Sequence, residues 1–155
     1  MKKYFKEFFE FNKSVNLKIL ESIKQLPDKD EAVKLFSHLI TSHNKWMVRF
    51  TNRNEDSKHT WFEQPFDLDE LESKWIEVVD MWLAYVENND EASFDEGFHF
   101  NRPGDGKEMY VKIRDVILQI NYHSIYHRAQ IARIIREQEL TPPSTDYIMT
   151  VIKEA

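Results

Sequence analysis

Apolar residues recur three or four positions apart in four long segments of the chain, which places them on one face of an α-helix in each segment. The predicted helices run from Tyr4 to about Leu26, from Glu31 to about Thr51, from about Asp69 to about Asn88, and from about Val111 to about Glu139. Pro27 ends the first helix and the Leu140–Pro143 segment ends the last. The pattern therefore predicts a helical protein in which each long helix buries one face.

Aspartates stand before two of these helices. Asp28 or Asp30 is a suitable N-cap for the second helix, and Asp67 or Asp69 for the third, since a carboxylate accepts hydrogen bonds from free backbone N–H groups. After the last long helix, residues 144–152 are expected to form either a short helical turn or an extended tail.

A different pattern separates the third helix from the fourth. Phe94, Glu96, Phe98 and Phe100 alternate, the stretch 101–106 contains two glycines, and residues 108–111 can pair back. These features predict a short β-hairpin. The expected fold class is all-α: an antiparallel four-helix bundle with a minor β-hairpin before the last long helix, in one domain spanning residues 1–155.

Composition excludes several classes of function. The 155 residues are 41% hydrophobic and 14% aromatic with only 3 glycines, which argues against disorder, and the net charge of −6 argues against binding nucleic acid or anionic membranes. The N-terminus is a poor signal peptide and no apolar stretch is long enough for a membrane span, so we expect a cytoplasmic protein. Cysteine is absent, which leaves histidine and carboxylates as candidate metal ligands.

Two histidines of the last long helix are spaced for metal binding. His123 and His127 lie four residues apart, so both imidazoles leave the same helix face one turn apart. His38, near the apolar face of the second helix, is the best candidate for a third ligand. The alternative is that three imidazoles are hydrogen-bonded core residues, which requires a separate set of partners for each ring.

The other histidines are expected to be solvent-facing or rim residues. His43 lies about 140° around the second helix from His38, so one ion cannot easily take both from a regular helix. His59 falls in a polar loop and His99 on the predicted hairpin. Of these, His99 is the first substitute ligand to consider.

Polar residues also interrupt the apolar face of the first helix. Asn12 and Asn16 lie at inward positions, where they either find hydrogen-bond partners in the core or shape a central cavity.

Taken with these residues, the chain resembles the DinB/YfiT-like superfamily of four-helix metalloproteins. The resemblance rests on Asn12 and Asn16, on the run from His38 to Arg49, on the run from His123 to Ile131, and on residues 140–147. It implies that His38, His123 and His127 bind one divalent metal ion. It further implies a small-molecule substrate and a homodimer, and relatives include transferases and isomerases that use low-molecular-weight thiols.

Three neutral imidazoles leave a metal ion doubly charged with an open position. Zinc is the first expectation, and nickel, iron or manganese also suit this ligand set. Such an ion can activate water, as in a hydrolase, or a cosubstrate thiol, as in an S-transferase. Two non-catalytic alternatives remain: a metal-binding stress-response or sensor protein, and a bundle cross-linked by its metal.

No catalytic residue is assigned from the sequence. The residues that flank the motif positions are expected to serve in packing and helix-surface polarity: Trp46, Arg49, Tyr126, Arg128 and Gln130.

Overall fold

The computed structural model describes residues 1–52, 60–61, 63–102 and 104–154. Four long helices make up most of this part of the chain: α1 (Lys2–Gln25), α2 (Asp30–Thr51), α3 (Leu71–Asn88) and α4 (Ile113–Glu137). Between α3 and α4 lie a 3-10 turn (Ala92–Asp95) and the strands β1 (Gly97–Asn101) and β2 (Glu108–Lys112), and a short helix α5 (Ile148–Val151) follows. The predicted, mainly helical class is confirmed.

The helices share one apolar core. Both α1 and α2 pack against α3 and α4. Phe9 of α1 stacks on Trp82 of α3 with ring centroids 5.7 Å apart, and Phe36 of α2 meets Trp75 of α3 edge-on at 5.8 Å. Burying an aromatic or large aliphatic side chain of this kind contributes roughly 1.5–3 kcal/mol. Packing between helices, more than the propensity of any one helix, therefore holds the site-bearing helices α2 and α4 in place.

The ends of α1 and α4 lie just before proline residues of the sequence. Leu26 precedes Pro27 and is extended (ψ 140°), because a residue before proline disfavours helical geometry. At the other end of the core, Glu139 takes a left-handed conformation (φ 62°), and the Leu140 N–H donates to the Ile135 carbonyl at 3.1 Å. This contact closes α4 before its prolines.

The expected aspartate caps are wrong in position. Lys29 and Glu70 are the N-cap residues of α2 and α3, and neither makes a side-chain capping hydrogen bond. Asp28 still accepts from the backbone N–H of Asp30 at 3.1 Å, at the start of α2. At α3, residues 68–70 form a turn before the helix. Asp67 and Asp69 therefore lie before the N-cap residue Glu70.

The predicted hairpin is present, shifted along the chain. β1 pairs antiparallel with β2, with Phe98 opposite Val111 and Phe100 opposite Met109. The strand begins only at Gly97, because Phe94 lies buried in the 3-10 turn. β2 leads directly into α4, so the helix begins at Ile113 rather than at Val111. None of the helices described is both long and apolar enough to cross a membrane.

Candidate metal centre

Three histidines converge between α2 and α4. His38 comes from α2, and His123 and His127 come from successive turns of α4, as the four-residue spacing predicts. One ring nitrogen from each of the three lies within 4.8 Å of the others. The ring centroids are 4.4–5.0 Å apart and the rings meet edge to face. We call these residues the histidine cluster.

Hydrogen bonds fix which nitrogens point inward. The Nδ1 of His38 lies 2.8 Å from the Trp61 carbonyl, and the Nδ1 of His127 lies 2.6 Å from Oε1 of Gln130. A carbonyl oxygen can only accept, so both Nδ1 atoms carry the proton and both Nε2 atoms keep a lone pair. This is how the remote nitrogen of a metal-binding histidine is usually held.

The closest approach in the histidine cluster joins two such nitrogens. Nε2 of His127 lies 3.0 Å from Nε2 of His123. Two lone pairs at that distance repel, so either a proton on His123 or a shared cation must lie between them. A divalent metal fits this donor set, since it would replace that proton and accept the lone pair of His38 as well.

Two of these imidazoles are held in the neutral form. Burial, followed by the neighbouring His127 and His38, lowers the pKa of His123 to about 4. Burial also lowers the pKa of His127, against an opposing effect of the Gln130 hydrogen bond. A neutral imidazole is the form that ligates metal, so near pH 7 neither ring has to lose its net charge before it binds the ion.

His43 does not lie at the rim, as its sequence position suggested. It is fully buried, its Nδ1 donates to the Leu39 carbonyl at 2.8 Å, and its ring meets Trp75 edge-on. The turn away from His38 directs His43 into the contact between α2 and α3, not into solvent. Desolvation lowers its pKa to about 4. The buried Nε2 has no hydrogen-bond partner among the described residues.

The remaining histidines lie apart from the histidine cluster or outside the described part of the chain. His99 is exposed on β1, 3.6 Å from a carboxylate oxygen of Glu108. It is therefore solvent-facing, as expected, and it does not belong to the group of converging ligand nitrogens. His59 lies outside the described residues.

A second polar cluster lies beside the first and joins α1 to α4. Arg128 is buried, and its Nη1 donates to Oδ1 of Asn12 at 2.7 Å and to Oδ1 of Asn16 at 3.1 Å. The Asn12 amide donates in turn to Oδ1 of Asn121, and the Asn121 amide donates to the Ile117 carbonyl at 2.8 Å. We call Asn12, Asn16, Asn121 and Arg128 the asparagine–arginine cluster.

Of the two expected roles, packing and helix-surface polarity, the buried position of Arg128 excludes the surface role. No carboxylate among the described residues forms an ion pair with it, and desolvation lowers its pKa to about 10, so it remains a cation near pH 7. Asn12 and Asn16 find partners in the core, which was the first of the two readings of their inward positions. In the sequence, the polar Asn12 and Asn16 within the apolar face of the first helix indicated a buried polar group of this kind. Nothing in the sequence indicated that Arg128 was their partner.

The other flanking residues divide between the site wall and the surface. Arg49 is buried against the rings of Trp46, Trp61 and Phe100, which agrees with the expected role in packing. Tyr126 is 61% exposed, in agreement with surface placement. The roles of Trp61 and Gln130 in orienting the histidines were missed. Trp61 lies 23 residues from His38 in a loop, where no periodic pattern gives a signal.

Comparisons with known proteins identify the family. No curated protein and no solved structure matches the chain significantly. A model of the DinB superfamily matches residues 24–131, a stretch that contains His38, His123 and His127. It leaves out Asn12 and Asn16 and the segment after α4, so the match is shorter than the resemblance noted along nearly the whole sequence. Because it covers more than half of the residues and spans all three candidate ligands, the chain belongs to the DinB superfamily.

Proposed function

We propose that this protein is a divalent-metal-dependent enzyme whose single metal site is formed by His38, His123 and His127. The observation that carries the proposal is the convergence of three imidazole nitrogens within 4.8 Å, two of them oriented by hydrogen bonds at the opposite ring nitrogen. Zinc is the metal expected first, and nickel, iron and manganese suit the same ligands.

The geometry favours a site that turns over substrate above one that only cross-links helices. A structural zinc site is closed by four protein ligands, whereas a catalytic site has three and an open position. Among the described residues the metal-capable group contains three side chains and no carboxylate. A cavity that borders His38 and His123 supports the proposal, since a small molecule bound there would lie next to two of the three candidate ligands.

The reaction class proposed is transfer to or from a low-molecular-weight thiol, with hydrolysis as the alternative. When bound, the divalent ion would supply positive charge that favours the deprotonated form of a thiol or a water molecule. The protein's own residues orient the metal ligands. Trp61 and Gln130 fix two imidazoles by hydrogen bonds, and the low pKa of His123 keeps that imidazole in the neutral form that binds metal. Membership of the DinB superfamily supports the metal site and leaves the reaction to experiment.

The proposed setting is one antiparallel four-helix-bundle domain, supported by the packing of α1 and α2 against both α3 and α4. A homodimer and a cytoplasmic location stay predictions. Light scattering of the purified protein tests the first of these.

Cobalt titration tests the metal site and the thiol reaction together. Protein prepared without an affinity tag should bind one cobalt ion, and a small thiol should add an intense sulfur-to-metal charge-transfer band. His123→Ala should abolish stoichiometric binding with helical circular dichroism retained. His99→Ala removes an exposed histidine outside the histidine cluster and serves as the matched control.

Each outcome of the titration separates the alternatives. Full cobalt occupancy in His123→Ala would refute the ligand assignment. If thiols leave the spectrum unchanged while bound water exchanges, the hydrolase alternative is favoured. If nothing exchanges, the metal has a structural role.

A further inference from the structure

The cavity beside the histidine cluster has a composition of its own. Its volume is about 260 Å³, and the described residues that line it are His38, Ser42, Trp46, Trp61, Gln119 and His123. The volume falls below the roughly 300–1,000 Å³ of pockets that hold drug-sized ligands. An occupant is therefore the size of a single substituted ring, and it lies next to two of the three candidate metal ligands.

Two indole rings form the apolar wall of this cavity. Trp46 and Trp61 have ring centroids 5.5 Å apart with their planes inclined at 62°. The Arg49 guanidinium lies 5.1 Å from each of these rings and 4.6 Å from the ring of Phe100. Such cation–π contacts hold the rings in place, so the wall is formed before a ligand arrives. Because indole rings are electron-rich, a planar, electron-poor ligand is the complementary occupant.

The remaining lining groups are neutral. No Lys, Arg, Asp or Glu is among the described residues that line the cavity, and Ser42 and Gln119 offer only a hydroxyl and an amide. In the metal-free protein, a carboxylate or ammonium group placed here would lose hydration without gaining an ionic partner among the described lining residues. Arg49, the cation nearest to the wall, is itself buried against three rings. The described lining therefore disfavours a charged occupant in the metal-free protein.

We infer that this cavity is the acceptor subsite: it binds a small, neutral, planar, electron-poor molecule against Trp46 and Trp61. The inference rests on the proposed function for its place in the reaction, since the thiol or water would occupy the open position of the metal. The binding of the planar molecule depends on the chain's own residues. It can therefore be measured with or without metal.

Nuclear magnetic resonance of the four indole N–H groups tests the inference with an internal control. Protein labelled with ¹⁵N is titrated with 1,3-dinitrobenzene, a neutral, electron-poor ring, in zinc-free and zinc-loaded samples. The Trp46 and Trp61 signals should shift in both. Trp75 and Trp82 are fully buried, with indole N–H groups that donate to the carbonyls of Lys13 and His43, and their signals should not move.

The charge of the ligand, the shape of the ligand and the tryptophan wall of the cavity are then varied one at a time. In the zinc-free protein, we expect 3,5-dinitrobenzoate, which adds a carboxylate to the same ring, and non-planar cyclohexanone to bind at least tenfold more weakly. Trp61→Ala should weaken dinitrobenzene binding about threefold to tenfold, and Trp61→Phe should restore most of it. The Trp75 and Trp82 signals report whether each variant remains folded.

Several results would overturn the subsite. These are equal binding of the benzoate or of cyclohexanone to the zinc-free protein, unchanged affinity in Trp61→Ala, or shifts confined to Trp75 and Trp82. Failure of the metal proposal is distinguishable, because it would appear as absent cobalt binding while the zinc-free dinitrobenzene titration still shows shifts at Trp46 and Trp61.

Discussion

His127 and Arg128 are neighbours in α4, yet they enter two polar clusters of opposite character. Arg128 donates to the side-chain oxygens of Asn12 and Asn16, so the asparagine–arginine cluster matches donors with acceptors across two helices. His127 instead brings an inward-facing nitrogen to within 3.0 Å of another in the histidine cluster. One cluster joins two helices through side-chain hydrogen bonds, with the buried Asn16 Nδ2 as the one member atom that lacks a partner among the described residues, and the other brings together imidazole nitrogens that can ligate a cation.

This difference separates a structural role from a functional one. A buried network whose donors and acceptors match fixes the position of one helix against another. Here it links α1 to α4 in the same turns that carry His123 and His127. Converging imidazole nitrogens, by contrast, can give their lone pairs to one divalent ion, so the folded protein gains stability when that ion binds. Substitutions in the first cluster should therefore reduce folding stability, and substitutions in the second should reduce metal binding.

The largest expected effect comes from breaking the asparagine–arginine cluster. Asn12→Ala leaves the buried Arg128 cation with one amide acceptor and leaves Oδ1 of Asn121 without its donor. We expect the free energy of unfolding to fall by about 3–5 kcal/mol, measured by urea denaturation of the metal-free protein. The control is Asn44→Ala, which alters a partly exposed asparagine of α2 and should change stability by less than about 1 kcal/mol. Similar stability of the two variants would contradict a structural role for the cluster.

Substitutions in the histidine cluster should instead reduce metal binding more than they reduce the stability of the metal-free protein. His127→Ala should lower the metal-free stability by less than Asn12→Ala does, because it removes two side-chain hydrogen bonds, with His123 and Gln130, but takes no partner from a buried charge. Zinc at about 100 times its dissociation constant should stabilise the wild-type protein by roughly 3 kcal/mol and the variant hardly at all. Thermal unfolding with and without zinc measures this difference, and equal stabilisation of both proteins would contradict it.

The buried His43 predicts a comparable loss of stability in acid. Its pKa is lowered from 6.5 to about 4 in the folded protein, so the unfolded chain takes up a proton first as the pH falls. The contribution of His43 is fully present above pH 6.5 and is lost as the pH falls towards 4, by about 3 kcal/mol in total. His43→Asn keeps a donor for the Leu39 carbonyl without titrating. The metal-free variant should therefore show a shallower fall in unfolding free energy over this range, and parallel pH profiles would count against the assignment.

A smaller effect is expected from the residue that orients His127. Gln130→Ala removes the acceptor of the His127 Nδ1 proton and should weaken zinc binding about tenfold to a hundredfold, or roughly 1.4–2.7 kcal/mol. Gln130→Glu keeps an acceptor and should retain most of the affinity. Competition with a chromophoric chelator measures both constants. If the two variants bind zinc equally well, the hydrogen bond has no part in orienting the ligand.

The regular parts of the fold could be predicted from the sequence, and their contacts only in part. Helical spacing predicted all four long helices, and alternation with glycines at the turn predicted the hairpin, because both patterns depend on local geometry. His123 and His127 followed from one helix face. His43 was misplaced because α2 packs on two neighbours, and the angle from His38 does not show that its other side meets Trp75. The burial of Arg128 depends on α1, more than a hundred residues away.

The proposed function depends above all on one divalent ion bound by His38, His123 and His127. X-ray absorption at the zinc edge, on protein prepared without a tag and loaded with one equivalent of zinc, tests this most directly. Three imidazole nitrogens at about 2.0–2.1 Å and one exchangeable light ligand are expected, with loss of the imidazole signal in His123→Ala but not in His99→Ala. Failure to retain stoichiometric zinc, or an unchanged ligand shell in His123→Ala, would contradict the proposed metal site.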